Sequence, residues 1–266
     1  YGMNWQGFVL SLDVVPCDGS GRIVHVEGDD TLPFIHAYGT TGVIVRATVR
    51  LSPLEEWLGF WASAPDYATG ARIALELRDC SPRPKLVSLD EAYIVGMLPP
   101  DPALDPTKVS VRAIVNAEAL EQSKALVVAA GGEVLAARPG RVAADRITSL
   151  SFNHSTFHLQ KKRPDFFHLE VGGDALVDRV DEVRAVFPET TLHLEVMGAG
   201  YFGMLMGRFE SDQQVYDGMA ALEALGIGIH SPHTWVLERR LDEVHKALAD
   251  MDPCGLLNPG KLETTE

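Results

Sequence analysis

The chain has 266 residues, 46% of them hydrophobic and 8% aromatic. That is ordinary globular composition, with length for one large or two modest domains. Lys and Arg number 23 against 37 Asp and Glu, a net charge of −14, which repels phosphate backbones and anionic bilayers and argues against nucleic acid or a membrane as partner. Cys17, Cys80 and Cys254 are widely spaced, with no CxxC pair. They read as reduced thiols, with a cytoplasmic location as the default expectation.

Residues 7–15, GFVLSLDVV, alternate apolar Phe8, Leu10, Leu12 and Val14 with other residues, and a Cys-Asp-Gly-Ser-Gly turn leads to a second strand at 22–27, so the pair reads as a hairpin. In GTTGVIVRATVRLSP, residues Val43, Val45, Ala47, Val49 and Leu51 share one face of a strand that Ser52-Pro53 ends. From about residue 57 helix-like runs at 66–79, 90–97, 116–131, 174–186 and 211–225 alternate with strand-like runs, the pattern of an α+β sheet layer covered by helices. Asn116 and Ser211 or Asp212 are the expected N-caps, and Gly131-Gly132 and Gly226 the expected stops. PDFFHLEVGG and TTLHLEVMGAG share His-Leu-Glu-Val, a short internal echo. A charged helix at about 238–250 precedes a tail whose Asp-Pro and Asn-Pro-Gly steps form two turns.

Three segments together resemble the FAD-linked oxidase family of the vanillyl-alcohol oxidase superfamily. The first runs from Tyr1-Gly2 through GFVLSLDVVPCDG to Tyr38-Gly39-Thr40-Thr41-Gly42-Val43-Ile44. It is similar to the second half of the family's FAD-binding domain, where such a glycine segment lies against the cofactor. Glycine suits that place because a backbone without Cβ approaches a ligand closely and accepts positive φ. An ordinary turn before a strand is the alternative for Gly39 and Gly42 alone. The second is Asp252-Pro253-Cys254-Gly255-Leu256-Leu257-Asn258-Pro259-Gly260-Lys261, similar to the family's Asp-Pro-x-Gly-x-Leu-Asn-Pro-Gly-Lys ending. The third, Asn153-His154-Ser155-Thr156 with Ser231-Pro232-His233-Thr234-Trp235, resembles stretches in uncharacterised oxidase relatives.

The resemblance implies a split FAD-binding domain around a cap with an antiparallel, ferredoxin-like sheet: residues 1–56 as the second half of the FAD-binding domain, 57–238 as the cap, 239–266 as a helix and tail returning to the FAD-binding domain. It implies FAD as cofactor, held by Gly39, Thr41, Gly42, Val43, Ile44, Asn258 and Lys261, and oxidation of a small organic alcohol or hydroxy acid. The family's pyrophosphate-binding half does not occur in these residues, so the chain is expected to hold FAD weakly by itself. A partner chain supplying that half, with this one as a non-catalytic binding or assembly subunit, is the alternative; a homo-oligomer stays open. The H-x-G-D-G-N-x-H metal site of family members acting on 2-hydroxy acids has no counterpart, and no metal is expected.

Flavin chemistry needs groups that orient the substrate and move its proton. His233, in a loop, is the first candidate, with His154 and Asn153 as further catalytic contacts. His154 and His158 are four apart, a metal-ligand spacing on a helix, but Pro164 and β-like surroundings argue against a helix there. His168 with Glu170, and His193 with Glu195, read as same-side pairs on strand surfaces.

Overall fold

The computed structural model describes residues 7–197, 200–230, 235–237 and 239–262. Its strands are β1 (Val9–Val15), β2 (Val24–Glu27), β3 (Val43–Val49), β4 (Trp57–Ala64), β5 (Leu86–Asp90), β6 (Val109–Asn116), β7 (Glu133–Pro139), β8 (Phe166–Gly172), β9 (Thr191–Met197), β10 (Gly200–Arg208) and β11 (Gly228–His230). Its helices are α1 (Tyr67–Arg78), α2 (Ala92–Val95), α3 (Leu120–Ala129), α4 (Arg141–Thr148), α5 (His154–Lys162), α6 (Ala175–Asp178), α7 (Val180–Arg184), α8 (Asp212–Ala224) and α9 (Leu241–Met251). The fold is α+β with antiparallel sheets, and contacts divide it into two units, 1–54 with 233–266, and 55–232. No helix among the described residues is long and apolar enough to cross a membrane.

In the first unit β1 is the middle strand of the sheet β2-β1-β3. The alternation read from the sequence breaks at its start: the pairing with β3 shifts between Val9 and Ser11, so Val9 is buried and Leu10 is exposed. One extra residue in a bulge moves the following side chains to the other face. Val9, Leu12 and Val14 pack with Phe34 and with Met251 of α9. β3 is an edge strand with every residue exposed, so the apolar face expected for it is open. Val43, Ile44 and Val45 are 53%, 47% and 54% exposed.

The second unit is built on one sheet, ordered β11-β8-β10-β9-β5-β6-β4-β7. Its pleat sends alternate residues to opposite faces. Phe60, Ala62, Val87, Leu89, Val111, Ala113, Leu192, Leu194 and Leu205 face one way and bury against Ile73 and Leu77 of α1, Val127 of α3, Val183 of α7 and Leu222 of α8. Each fully buried Leu or Ile contributes about 2 kcal/mol. Ser211 Oγ caps α8 as expected, accepting from the Gln214 amide at 3.2 Å, whereas Asn116 Oδ1, accepting from the Glu118 amide at 2.9 Å, caps a 3-10 turn at Ala117–Ala119 that leads into α3. Gly131 and Gly226 follow the ends of α3 and α8 with φ of +87° and +84°.

The opposite face corrects two expectations. Residues 141–148 and 154–162 form α4 and α5, so His154 and His158 do lie on a helix. Pro164 follows its end rather than interrupting it, and Lys161 and Lys162 sit in its last turn, where they complement the helix dipole. His193 with Glu195, and His168, are buried rather than on an open strand surface, because these helices and residues 92–106 cover that side of the sheet.

Candidate active site

Cross-strand register lines polar residues across the covered face. Ser63 opposes Ser110, Ser110 opposes Asp90, Asp90 opposes His193, His193 opposes Met204, and Met204 opposes Glu170. In the neighbouring row Trp61, Arg112, Ser88, Glu195 and Phe202 follow in the same order. The band lies between two apolar patches, one containing Leu150, Leu159, Phe166 and Met204, the other Trp61, Ile114 and Ile147.

Asp90, Arg112, His193 and Glu195 are all fully buried, where charge survives only by pairing. Arg112 Nη2 donates to Asp90 Oδ2 and, at 2.8 Å, to the Leu150 carbonyl. His193 Nδ1 lies 2.7 Å from Asp90 Oδ1, and its Nε2 lies 3.2 Å from Glu195 Oε1. Burial presses the imidazole toward neutrality, but the charge and hydrogen bond of Asp90, joined by Glu195, outweigh it and raise its pKa to about 9. Burial likewise works against the Asp90 carboxylate, while His193 and Arg112 hold its pKa below the usual range. With both nitrogens donating, His193 is an imidazolium at neutral pH and holds its proton there.

Four successive residues of the turn between α4 and α5 are each pinned by a different strand. The Leu150 carbonyl accepts from Arg112 of β6. Ser151 Oγ bonds Ser88 Oγ of β5 at 2.8 Å, the Phe152 amide donates to Glu195 Oε1 of β9 at 2.6 Å, and Asn153 Nδ2 donates to Glu170 Oε1 of β8 at 3.3 Å. The turn therefore crosses the strands, and Phe152 takes a φ of +54° there, a strained conformation for a bulky residue. Glu195 Oε2, Asn153 Oδ1 and Arg112 Nε are buried without a hydrogen-bond partner among the described residues. Unsatisfied buried polar atoms are rare, and two of these are acceptors beside the same turn.

In the first unit the tail meets the glycine segment. Asp252, itself buried, caps the turn by accepting from the Leu256 and Leu257 amides at 3.0 and 2.7 Å. Asn258 Nδ2 donates to the Tyr38 and Gly39 carbonyls at 2.8 and 3.1 Å. A Cβ on Gly39, whose φ is +69°, would stand 2.7 Å from that nitrogen, and one on Gly42, whose φ is +123°, would stand 2.6 Å from Val14 Cγ1. Both glycines are thus required by the chain's own packing. Thr41 is buried, its hydroxyl donating to the Pro33 carbonyl at 3.2 Å. Lys261 Nζ donates to the Trp235 carbonyl at 3.0 Å and lies 3.3 Å from the centre of the Trp235 ring.

His233 lies outside the described residues. His154 is committed to the turn: its Nδ1 lies 3.1 and 3.0 Å from the Thr148 and Ser151 carbonyls, so that nitrogen is the donor. Asn153 joins the polar band directly through Glu170. Among the described residues no cluster of three His, Cys, Asp or Glu side chains is arranged for a metal ion. Asp90 and Arg112 escaped the sequence reading, because Ser-x-Asp and Ser-x-Arg alternating with apolar residues look the same on a solvated strand face as on one that helices later cover.

No protein-family model matches the chain, and no curated protein sequence matches it. Solved structures do share its fold. An alkyldihydroxyacetonephosphate synthase superposes with a TM-score of 0.64 at 11% identity, covering 96% of this chain and 54% of its own. Xylooligosaccharide oxidase from Myceliophthora thermophila C1, solved with xylobiose, gives 0.56 at 12%, covering 96% and 67%. Glucooligosaccharide oxidase from Acremonium strictum, which carries 6-S-cysteinyl, 8α-N1-histidyl FAD, gives 0.54 at 10%, covering 97% and 68%. The chain spans about half the length of the first of these.

Proposed function

We propose that the chain is part of an FAD-dependent oxidoreductase that oxidises a small organic alcohol or hydroxy acid, with the polar band under α4 and α5 as its substrate side. The observation that carries this reading is the band itself: fully buried Asp90, Arg112, His193 and Glu195 on one sheet face, in a fold shared with flavin-bearing oxidases. Perturbed, paired ionisable groups concentrate at functional sites. In this reading 1–56 is the second half of a split FAD-binding domain, 57–238 its ferredoxin-like cap, and 239–266 the returning tail.

Bound FAD would supply the acceptor for the electrons of the substrate C–H bond. Gly39, Thr41, Gly42, Val43 and Ile44 would hold it, with Asn258 bracing Gly39 and Lys261 adding positive charge. The remaining work falls to this chain's side chains. Asn153 Oδ1, buried and without a partner, would accept a hydrogen bond from a substrate hydroxyl. His193, protonated and locked between Asp90 and Glu195, would fix the local field rather than take a proton. The proton-accepting or orienting role would belong to His233, with His154 offering its second nitrogen.

The test is to express the chain together with the sequence encoded immediately upstream of Tyr1, record the visible flavin spectrum, and add alcohols and 2-hydroxy acids without oxygen. A yellow protein bleached by one of them supports the reading, and a colourless product or an unreduced flavin opposes it. A second reading is a non-catalytic binding or assembly subunit whose partner chain completes the FAD site. In that case colour would appear only on mixing with the partner.

A further inference from the structure

We propose that residues 151–162, the end of the turn and α5, form a lid that opens from the sheet face as a unit while the rest of residues 55–232 stays folded. Its purpose rests on the reading of the polar band as the substrate side; its mechanics do not. Helix α5 buries three side chains, Ser155, Thr156 and Leu159. The two hydroxyls donate back to the start of the same segment, Ser155 Oγ to the Phe152 carbonyl at 3.1 Å and Thr156 Oγ1 to the Asn153 carbonyl at 2.6 Å. Leu159 is the buried apolar anchor, while Phe157 is 61% exposed. Helix α1, on the other face, buries Tyr67, Ala71, Ile73, Ala74 and Leu77. Few buried apolar contacts mark the segments that open locally.

What closes the lid is polar. Ser88, Glu195 and Glu170 hold Ser151, Phe152 and Asn153, and Gln160 Nε2 donates to the Phe166 carbonyl at 3.0 Å. The closed state also carries a cost: Phe152 sits at positive φ, and Glu195 Oε2 and Asn153 Oδ1 lack donors. Opening relaxes that backbone and gives both oxygens water. At the far end Arg163 is clamped by Asp165 at 2.8 Å and Glu189 at 3.1 Å, and Lys162 Nζ donates to the Gly96 carbonyl at 3.2 Å. The pivot therefore lies near Arg163, and the Phe152 end is the one that swings away from Glu195 once its polar bonds part.

The test is native-state hydrogen exchange on this chain, without flavin, at rising sub-denaturing urea. The α5 amides of Leu159 and Gln160 should exchange at least about 10-fold faster than those of Ala74 and Leu77 in α1, with a weaker urea dependence, as a local opening does. Ser88→Ala, which removes the hydroxyl that holds Ser151 and leaves the buried ion pairs intact, should speed α5 exchange further and leave α1 unchanged. Equal rates and urea dependence for α5 and α1 would overturn the proposal, as would acceleration of both helices together in the variant. Since no flavin takes part, that failure would leave the redox reading standing, and a colourless protein would leave the lid standing.

Discussion

His193 Nδ1 lies 2.7 Å from Asp90 Oδ1, with neither side chain exposed to solvent. The two residues stand on adjacent strands, β9 and β5, directly opposite in register. Register alone brings the pair together, and burial makes its charge state a stability term.

The first prediction is a pH dependence. His193 is raised from 6.5 to about 9 on folding, so the proton is bound more tightly in the folded chain. Its contribution is complete below pH 6.5 and is lost as pH rises through about 9. Denaturant unfolding should show a loss on the order of 3 kcal/mol across that window. His193→Gln should flatten the profile there; an unchanged profile in the variant would assign the dependence to other groups.

Removing one member of the buried ion pair should cost more than removing any surface pair. Asp90→Asn takes the carboxylate from Arg112 and leaves His193 with Glu195 alone, and should lower stability by about 3–5 kcal/mol. Arg141→Ala, whose exposed partner is Asp145, should change it by at most about 0.5 kcal/mol. Midpoints from urea titrations at constant slope are the measurement, and similar losses in both variants would contradict the ranking.

Gly39→Ala adds a Cβ where Asn258 Nδ2 already stands, at a positive φ. Asn258 must then leave the Tyr38 and Gly39 carbonyls. A loss of about 1–2 kcal/mol is expected, together with faster proteolysis of residues 255–262. Proteolysis at the wild-type rate would show that this contact does not hold the tail.

The chain without further sequence should bind FAD weakly, because a Gly39–Ile44 strip and a tail turn offer contact for a ring but the resemblance assigns the pyrophosphate to a segment these residues lack. Calorimetric titration checks this directly. Submicromolar affinity would contradict it.

Much of the fold is legible in the sequence where local signals agree with burial. The α8 segment combines the Ser211 cap, an apolar face and a terminal Gly226, and each acts locally. Helix α5 lacks that agreement. It buries Ser155 and Thr156 and exposes Phe157, so hydrophobic periodicity runs against it and polar bonds from distant strands decide its place. The bulge that buries Val9 instead of Leu10 depends on pairing with β3, about 40 residues away in sequence. The candidate residues divide the same way. The motif singles out Asn153, whereas Asp90 and Arg112 come together with His193 only when β5, β6 and β9 adjoin under a helical cover.

The most direct test of the central claim, that the polar band serves a flavin-linked oxidation, is the rate of anaerobic flavin reduction in the flavin-loaded protein carrying Asn153→Ala. Asn153 is partly exposed, and its Oδ1 has no partner among the described residues, so the substitution removes that acceptor, together with the donor to Glu170, without emptying the core. The account predicts reduction slowed by about 10-fold or more, with flavin content and the unfolding midpoint close to wild type. Reduction at the wild-type rate, with the same substrate and flavin content, would place the substrate elsewhere and contradict it.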